Sequence, residues 1–284
     1  MIDLHTHTTA ADGWLTPAEL VLRAAAAGVT VLSVTDHDTV AGYGAAEAAA
    51  ATAGVELVPG IEITAIVEGA DVHVLGYFID VHSPRLLAFL AEQRRRRLDR
   101  VRQIIDRLAA LGVVLDTDAI LQPALDDPGL ASGRPWVARA LVAAGHVADS
   151  NQAFDRWLGR GRPAFVPRTG ATPKEVVARI HEARGLASLA HPALVEHDEW
   201  LPGLAADGLD ALEAYHSDHD SSATDHYLSM AARLGLCVTG GSDYHADVSH
   251  GSSGPGSVSL PRDAYEKLVR LKVDATTPDS PRSA

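Results

Sequence analysis

His5-Thr6-His7 places two imidazoles one residue apart, and on an extended segment, where side chains alternate with period two, both lie on one side of the chain. Two neutral imidazoles that close make a metal-binding pair. Asp12 follows in a polar loop, and His37, Glu62, His73, His191, Asp243 and His245 stand where short apolar runs give way to polar residues. Nine nitrogen and oxygen donors without a thiolate suit Zn²⁺, Mn²⁺ or Fe²⁺, and they are too many for one ion. They fit two or three sites that share a bridging carboxylate. A cluster of that kind binds phosphate oxygens, lowers the pKa of a bound water and stabilises both oxygens of an in-line displacement. Metal-assisted hydrolysis is the chemistry it implies.

The donors need a scaffold that brings distant residues together. Seven apolar runs qualify: Met1–Leu4, Val29–Val34, Val55–Ile61, Val72, Leu186–Ala190, Leu209–Ala214 and Leu234–Thr239, each closed by a histidine or a carboxylate. Their alternation with helix-like segments predicts parallel strands joined by crossovers, and in a parallel barrel the strand C-termini share one face. Residues 82–165 read differently. Leu86 to Leu111 has helical periodicity, Pro135–Gly145 and Asn151–Leu158 look like shorter helices, and Pro123, Asp126–Gly129 and Gly159–Pro163 mark turns. The expected organisation is a discontinuous barrel, 1–81 and 166–284, with a helical insertion at 82–165 capping its mouth. Thr276–Ala284 reads as a frayed tail.

The composition of the 284 residues, 46% hydrophobic and 21% charged, is that of an ordinary globular chain. A formal charge of −13 opposes a broad nucleic-acid or anionic-membrane surface. It leaves room for a small anionic substrate in a pocket whose sign is reversed by metals or a few arginines. Cys237 is the single cysteine, which excludes an internal disulfide, and its apolar surroundings predict a buried, inert thiol. No uncharged apolar stretch approaches the ~20 residues of a membrane span, and Met1–Leu4 does not open a signal peptide. A cytoplasmic protein, monomeric or weakly dimeric, is expected.

Taken in order, His5-Thr6-His7 with Asp12, Thr35-Asp36-His37, Glu62, His73, His191-Pro192 and Gly241-Ser242-Asp243-Tyr244-His245 resemble the polymerase and histidinol phosphatase (PHP) domain family of the amidohydrolase superfamily. The resemblance implies an α/β fold, a distorted TIM-like (β/α)₇ barrel. It also implies two or three divalent ions, Mn²⁺ ahead of Fe²⁺ or Zn²⁺. His5, His7, Glu62 and Asp243 would hold one ion, Glu62, His73 and His191 a second, and Asp12, His37 and His245 a third, with Glu62 as the bridge. Many members carry histidine where this chain has Asp12.

The segments Ser132–Arg139 and Leu158–Pro167 are similar to those of a subgroup that removes the 3′-phosphate from nucleoside 3′,5′-bisphosphates, some members of which degrade short RNA from the 5′ end. Relatives commonly have histidine in place of Trp136. Arg134, in a Gly/Pro-flanked loop, is the candidate phosphate clamp, since a guanidinium makes paired charge-assisted bonds to phosphate. His216 would face it across the pocket, contacting the scissile phosphate or protonating the leaving oxygen. Ser132 and Arg160 complete the candidate substrate residues. The expected partner is a small phosphorylated molecule, a nucleotide first. Short RNA, histidinol phosphate, a cyclic phosphate or a non-catalytic metal-stabilised module are the alternatives.

Weaker features have blander readings. Arg94–Arg97 with Arg100 and Arg102 wrap a helix at ~100° per residue, so they predict a solvated helix rather than a basic stripe, with a local phosphate attractor as the alternative. Asp36 would orient a ligand histidine or cap the next helix. Asp218, His219 and His226 read as a loop without chemistry, and His82, His146, His181, His197 and His250 have no assigned role. Gly240-Gly241 would let the backbone approach the cluster closely.

Overall fold

A computed structural model describes residues 1–246 and 254–276. In chain order the elements are β1 (Ile2–Asp3), α1 (Pro17–Ala26), β2 (Val31–Val34), α2 (Tyr43–Ala53), β3 (Glu56–Val67) and β4 (Ala70–Tyr77). There follow α3 (Pro84–Ala110), α4 (Thr117–Asp126), α5 (Arg134–Ala143), α6 (Ser150–Ala153), α7 (Pro173–Glu182), β5 (Leu186–Leu189), α8 (Pro192–Val195), α9 (Leu201–Ala206), β6 (Ala211–His216), α10 (Ser221–Leu234), β7 (Cys237–Gly241) and α11 (Arg262–Thr276). The expected tail lies outside the described residues from 277 onward, as does His250.

The seven strands form one sheet in sequence order, and the fold is the expected distorted (β/α)₇ barrel. Its first and last strands meet through their polar extensions: Leu4 N–H donates to Gly240 O, Asp243 N–H to His5 O and His7 N–H to Tyr244 O, at 3.2, 2.8 and 3.0 Å. The seam of the barrel is therefore made by the segments that carry His5, His7 and Asp243. Gly241 is required there, because a Cβ would lie 2.3 Å from His5 N. The sheet is buried on both faces, with Leu4, Leu32, Ile61, Ile63 and Leu75 among the largest fully enclosed side chains. Capping boxes at Thr16/Glu19 and Thr172/Glu175, each followed by proline, start α1 and α7.

Two expectations about the strands need correction. β4 is antiparallel to both β3 and β5, because Val67 is followed by a two-residue turn, Glu68-Gly69, with φ of 50° and 80°, which returns the chain as a hairpin. As a result Glu62 and His73 sit inside long strands, not at their ends.

Between β4 and β5 the helices α3 to α6 and a π-turn at Phe154–Leu158 gather an apolar cluster of their own around Ile104, Leu108, Val137, Leu141 and Leu158. Pro123, expected to mark a turn, lies inside α4. It gives up only its own N–H there, while Asp116 caps Ala119 N–H and Ile120, Leu121 and Ala124 are buried.

The arginine run is not uniformly solvated. Arg95 and Arg96 pair with exposed Glu92, but Arg97 is buried against Asp38, and buried Arg100 donates to Val166 O at 2.8 Å. Cys237 is half-buried, with burial and nearby Asp210 raising its thiol pKa. No helix among the described residues is long and apolar enough to cross a membrane.

Candidate metal centre

Every strand contributes to one cluster. His5 and His7 follow β1, His37 follows β2, Glu62 and His73 lie in β3 and β4, His191 follows β5, His216 ends β6, and Asp243 and His245 follow β7. Glu62 is its centre. One carboxylate oxygen lies 3.5, 3.3 and 3.0 Å from nitrogens of His5, His7 and His37, and the other 2.8 and 3.2 Å from His73 and His191. Asp243 faces His5 and His7 at 3.3 and 3.0 Å through one oxygen and His216 at 3.4 Å through the other. Asp12 stands among His7, His37 and His245 at 3.8, 3.7 and 3.5 Å. The structure thus brings all nine candidate ligands together, and adds His216 to them.

These side chains fit divalent cations. His5 Nε2, both nitrogens of His7, Asp12 Oδ1, His37 Nδ1, His191 Nδ1 and His216 Nε2 are buried without a hydrogen-bond partner, a costly state for polar atoms unless something else satisfies them. In four groups the donor atoms lie within 4.8 Å of one another: His7/Asp12/His37/His245, His5/His216/Asp243, His5/His7/Glu62 and His37/Glu62/His73. Burial and neighbouring His245 push His7 down to about 3, which leaves it neutral with lone pairs available. Burial alone would raise Glu62, Asp12 and Asp243, but the surrounding histidines outweigh it and hold all three well below the usual carboxylate range. Charged oxygens suit hard and borderline cations, whereas neighbouring carboxylates outweigh burial and raise His5, His191 and, to about 9, His245, so these three would release a proton on binding one.

The backbone is bent to deliver these groups. His191 and Asp243 have φ of 27° and 51°, and Asp38, next to His37, has 53°, conformations that L-residues adopt only where the surroundings enforce them.

Residues that the sequence reading missed do the enforcing. Glu213, fully buried in β6, lies 3.0 Å from His5 Nδ1 and accepts the His191 N–H at 2.7 Å. Charged Glu213 makes Nδ1 of His5 the donor, which leaves Nε2 as the atom that faces the cluster. Asp3 accepts from Ser242 N–H, Ser242 hydroxyl, Gly256 N–H and His5 N–H, so it anchors the strand end that presents Asp243. Asp36 neither touches a histidine nor caps a helix; it accepts from the Thr8 N–H and hydroxyl, both at 2.6 Å, and secures the loop between His7 and Asp12. A charged residue inside an apolar strand, as in Ile2-Asp3-Leu4 or Leu212-Glu213-Ala214, is the signal that could have found the first two.

Beside the cluster lies a group of arginines. Asp71, two residues before His73 and on the same face of β4, has Arg134 and Arg168 each 3.6 Å away. Arg168 Nε and Nη1 and Arg100 Nη2 are buried without hydrogen-bond partners. Burial and adjacent Arg97 bring Arg168 down to about 9, and burial and adjacent Arg134 bring Arg100 down to about 10. Among the predicted substrate residues, Ser132 is buried with an unpartnered hydroxyl, Arg134 is half-buried and Arg160 is left at the surface. His219, expected to be idle, is buried with its ring 5.3 Å from that of His216, its Nδ1 bonded to Ala214 O at 2.9 Å. Exposed Asp218 gives its backbone N–H to His216 Nδ1 at 3.1 Å, whereas exposed His226 pairs with Asp198 at 2.6 Å.

The PHP domain family model matches residues 3–126. A 5′-3′ exoribonuclease from Haemophilus influenzae is 38% identical over 248 residues, 86% of this chain and 89% of that protein. The chain belongs to the PHP domain family. A 3′,5′-nucleoside bisphosphate phosphatase from Chromobacterium violaceum is 34% identical over 260 residues, 88% of this chain and 90% of that one. A crystal structure of a candidate metal-dependent phosphoesterase from Bifidobacterium adolescentis superposes with a TM-score of 0.85 at 32% identity, covering 94% and 95% of the two chains. As a PHP family member the protein is a metal-dependent phosphoester hydrolase, and its histidine and carboxylate cluster suits that chemistry.

Proposed function

We propose that the protein hydrolyses the 3′-phosphate of nucleoside 3′,5′-bisphosphates to give a nucleoside 5′-monophosphate and phosphate. The observation that carries this reading is the pairing of two anion-attracting regions along β4, the ligand cluster at His73 and the arginines around Asp71. Two residues of strand separate them by about 7 Å, close to the spacing of neighbouring phosphates on one nucleotide.

The ligand sets we assign are His5, His7, Glu62 and Asp243; Glu62, His73 and His191; and Asp12, His37 and His245. Divalent ions held there, Mn²⁺ first, supply positive charge to the phosphate oxygens and acidify a water molecule. The residues do the rest. Arg134 and Arg168 bind the phosphate that is not cleaved, Arg168 through Nε and Nη1 donors that are otherwise unsatisfied. Water oxygen bonds to the 3′-phosphorus as the bond to the 3′-oxygen breaks, and His216, buried beside Asp243, is placed to give that oxygen its proton. Residues 82–165 cap the site and exclude bulk water, which strengthens each of these charges. A cytoplasmic monomer or weak dimer remains part of the proposal.

Short 5′-phosphorylated RNA is the second reading, favoured by the similarity to the Haemophilus exoribonuclease. Its 5′-phosphate would use the same arginines. Kinetics with Mn²⁺ test the first reading. Arg168→Gln should raise KM for adenosine 3′,5′-bisphosphate at least about tenfold, as expected on losing a charge-assisted bond, and leave adenosine 3′-monophosphate unchanged. Equal effects on both substrates would sink the two-phosphate assignment, and mononucleotides released from RNA at a higher kcat/KM would favour the nuclease.

A further inference from the structure

We infer that the helices between β4 and β5 hold the metal ligands Asp12 and His37 in position, through Trp136 and Arg97, so that filling the His7/Asp12/His37/His245 set and docking these helices are one coupled event. The inference rests on the ligand assignment proposed above and extends it to a segment that supplies no ligand.

Asp12 stands on a loop beyond β1 and His37 on an extension of β2 bridged to Glu62 of β3, and the ties from the helices end beside both. Trp136, in the first turn of α5, donates its indole N–H to the carbonyl of Ala11 at 2.9 Å, one residue before Asp12. Ala131 N–H reaches Ala10 O at 2.9 Å. The Arg139 guanidinium lies over the Trp14 ring, 5.6 Å from its centroid. Beside the second ligand, Arg97 of α3 forms a buried ion pair with Asp38, one residue after His37, and also donates to the Thr64 hydroxyl at 3.1 Å. Arg94 donates to Asp38 O at 3.0 Å, and the Thr39 hydroxyl to Gly129 O at 2.5 Å. Residues 10, 11, 38 and 39 thus carry the bonds from the helices directly beside the two ligands.

On the barrel side the loop that carries Asp12 is secured by the Thr8 bonds to Asp36 and by Trp14 N–H to His245 O at 2.9 Å, and on the helix side its support is the pair of bonds from Ala131 and Trp136. A cavity of about 570 Å³ opens between Thr9, Ala11 and Gly13 on one side and Ile120, Pro123 and Ala140 of α4 and α5 on the other. Losing the Trp136 bond therefore frees the loop on that flank, because few neighbouring atoms take over its support. Coupling between two sites is reciprocal, so whatever fixes Asp12 and His37 also steadies the helices.

Equilibrium dialysis of the full chain against Mn²⁺, with bound ions counted, tests this. Trp136→Phe keeps the ring and removes the donor. It should weaken one class of Mn²⁺ site about five- to tenfold and leave the tighter class unchanged. Trp157→Phe is the control, since Trp157 packs in the same helical cluster with its N–H unpartnered, and it should leave every class unchanged. Independently of any variant, Mn²⁺ should slow tryptic cleavage at exposed Arg95, Arg96 and Arg102 of the wild-type protein. An unaltered isotherm for Trp136→Phe, equal weakening by Trp157→Phe, or cleavage indifferent to Mn²⁺ would overturn the coupling while the ligand assignment stands. A wild-type protein that binds no Mn²⁺ would overturn both.

Discussion

The floor and the rim of the ligand cluster are held by different means. On the floor, His5 and His191 are fixed by Glu213, and the segment bearing Asp243 by Asp3, all within the barrel and all buried. On the rim, the neighbours of Asp12 and His37 also take bonds from outside the barrel, from Trp136, Ala131 and Arg97, while His37 itself is bridged to Glu62 of β3. The floor is held by the sheet itself, whereas the rim, on the coupling we infer, is complete only when the helices between β4 and β5 are docked. Side chains carried by strands are held more precisely than side chains carried by loops.

The sharpest break in this comparison is at Asp243, which both faces the floor histidines and reaches His216. Asp243→Asn should reduce phosphate release to background, with circular dichroism and the thermal transition showing a folded chain; near-normal turnover would remove the metal mechanism. Next is Arg97→Ala. It leaves Asp38 buried without its counter-charge, so global stability should fall by roughly 3–5 kcal/mol in urea titrations, and the rim should lose Mn²⁺ before the floor does. A smaller effect is expected at Glu213. Glu213→Gln should weaken the floor ions by about 10- to 100-fold and spare the rim class, which inverts the pattern expected of Trp136→Phe. If both variants weakened the same class of site, the division into floor and rim would fail.

The floor and rim ligands were legible in the sequence because histidines and acids at the ends of apolar runs are chemically conspicuous. Their supports were not. Glu213 and Asp3 stand out in the sequence only as charges within apolar runs, and what they hold emerges once burial shows that neither has water to face. Arg168, in a loop after Pro167, has no local pattern that separates it from a surface arginine. The reversal of β4 was readable in principle, since Val67-Glu68-Gly69-Ala70 carries a two-residue turn between apolar runs, but parallel periodicity elsewhere masked it. For the arginine run, the ~100° spacing of consecutive residues predicted a solvated helix with no single stripe. Helix geometry instead sends Arg97 and Arg100 inward and leaves Arg95 and Arg96 outside, a division set by the partners Asp38 and Val166 that lie far away in sequence.

The central claim is that these residues make a metal-dependent phosphatase of nucleoside bisphosphates. The most direct measurement strips the protein with chelator and follows phosphate release from adenosine 3′,5′-bisphosphate as Mn²⁺ is added back, with bound ions counted at each step. The account predicts no turnover in the stripped protein, and activity that rises as the floor sites fill and reaches its plateau with the rim. Full turnover without bound ions, or filled sites with a silent bisphosphate, would contradict it.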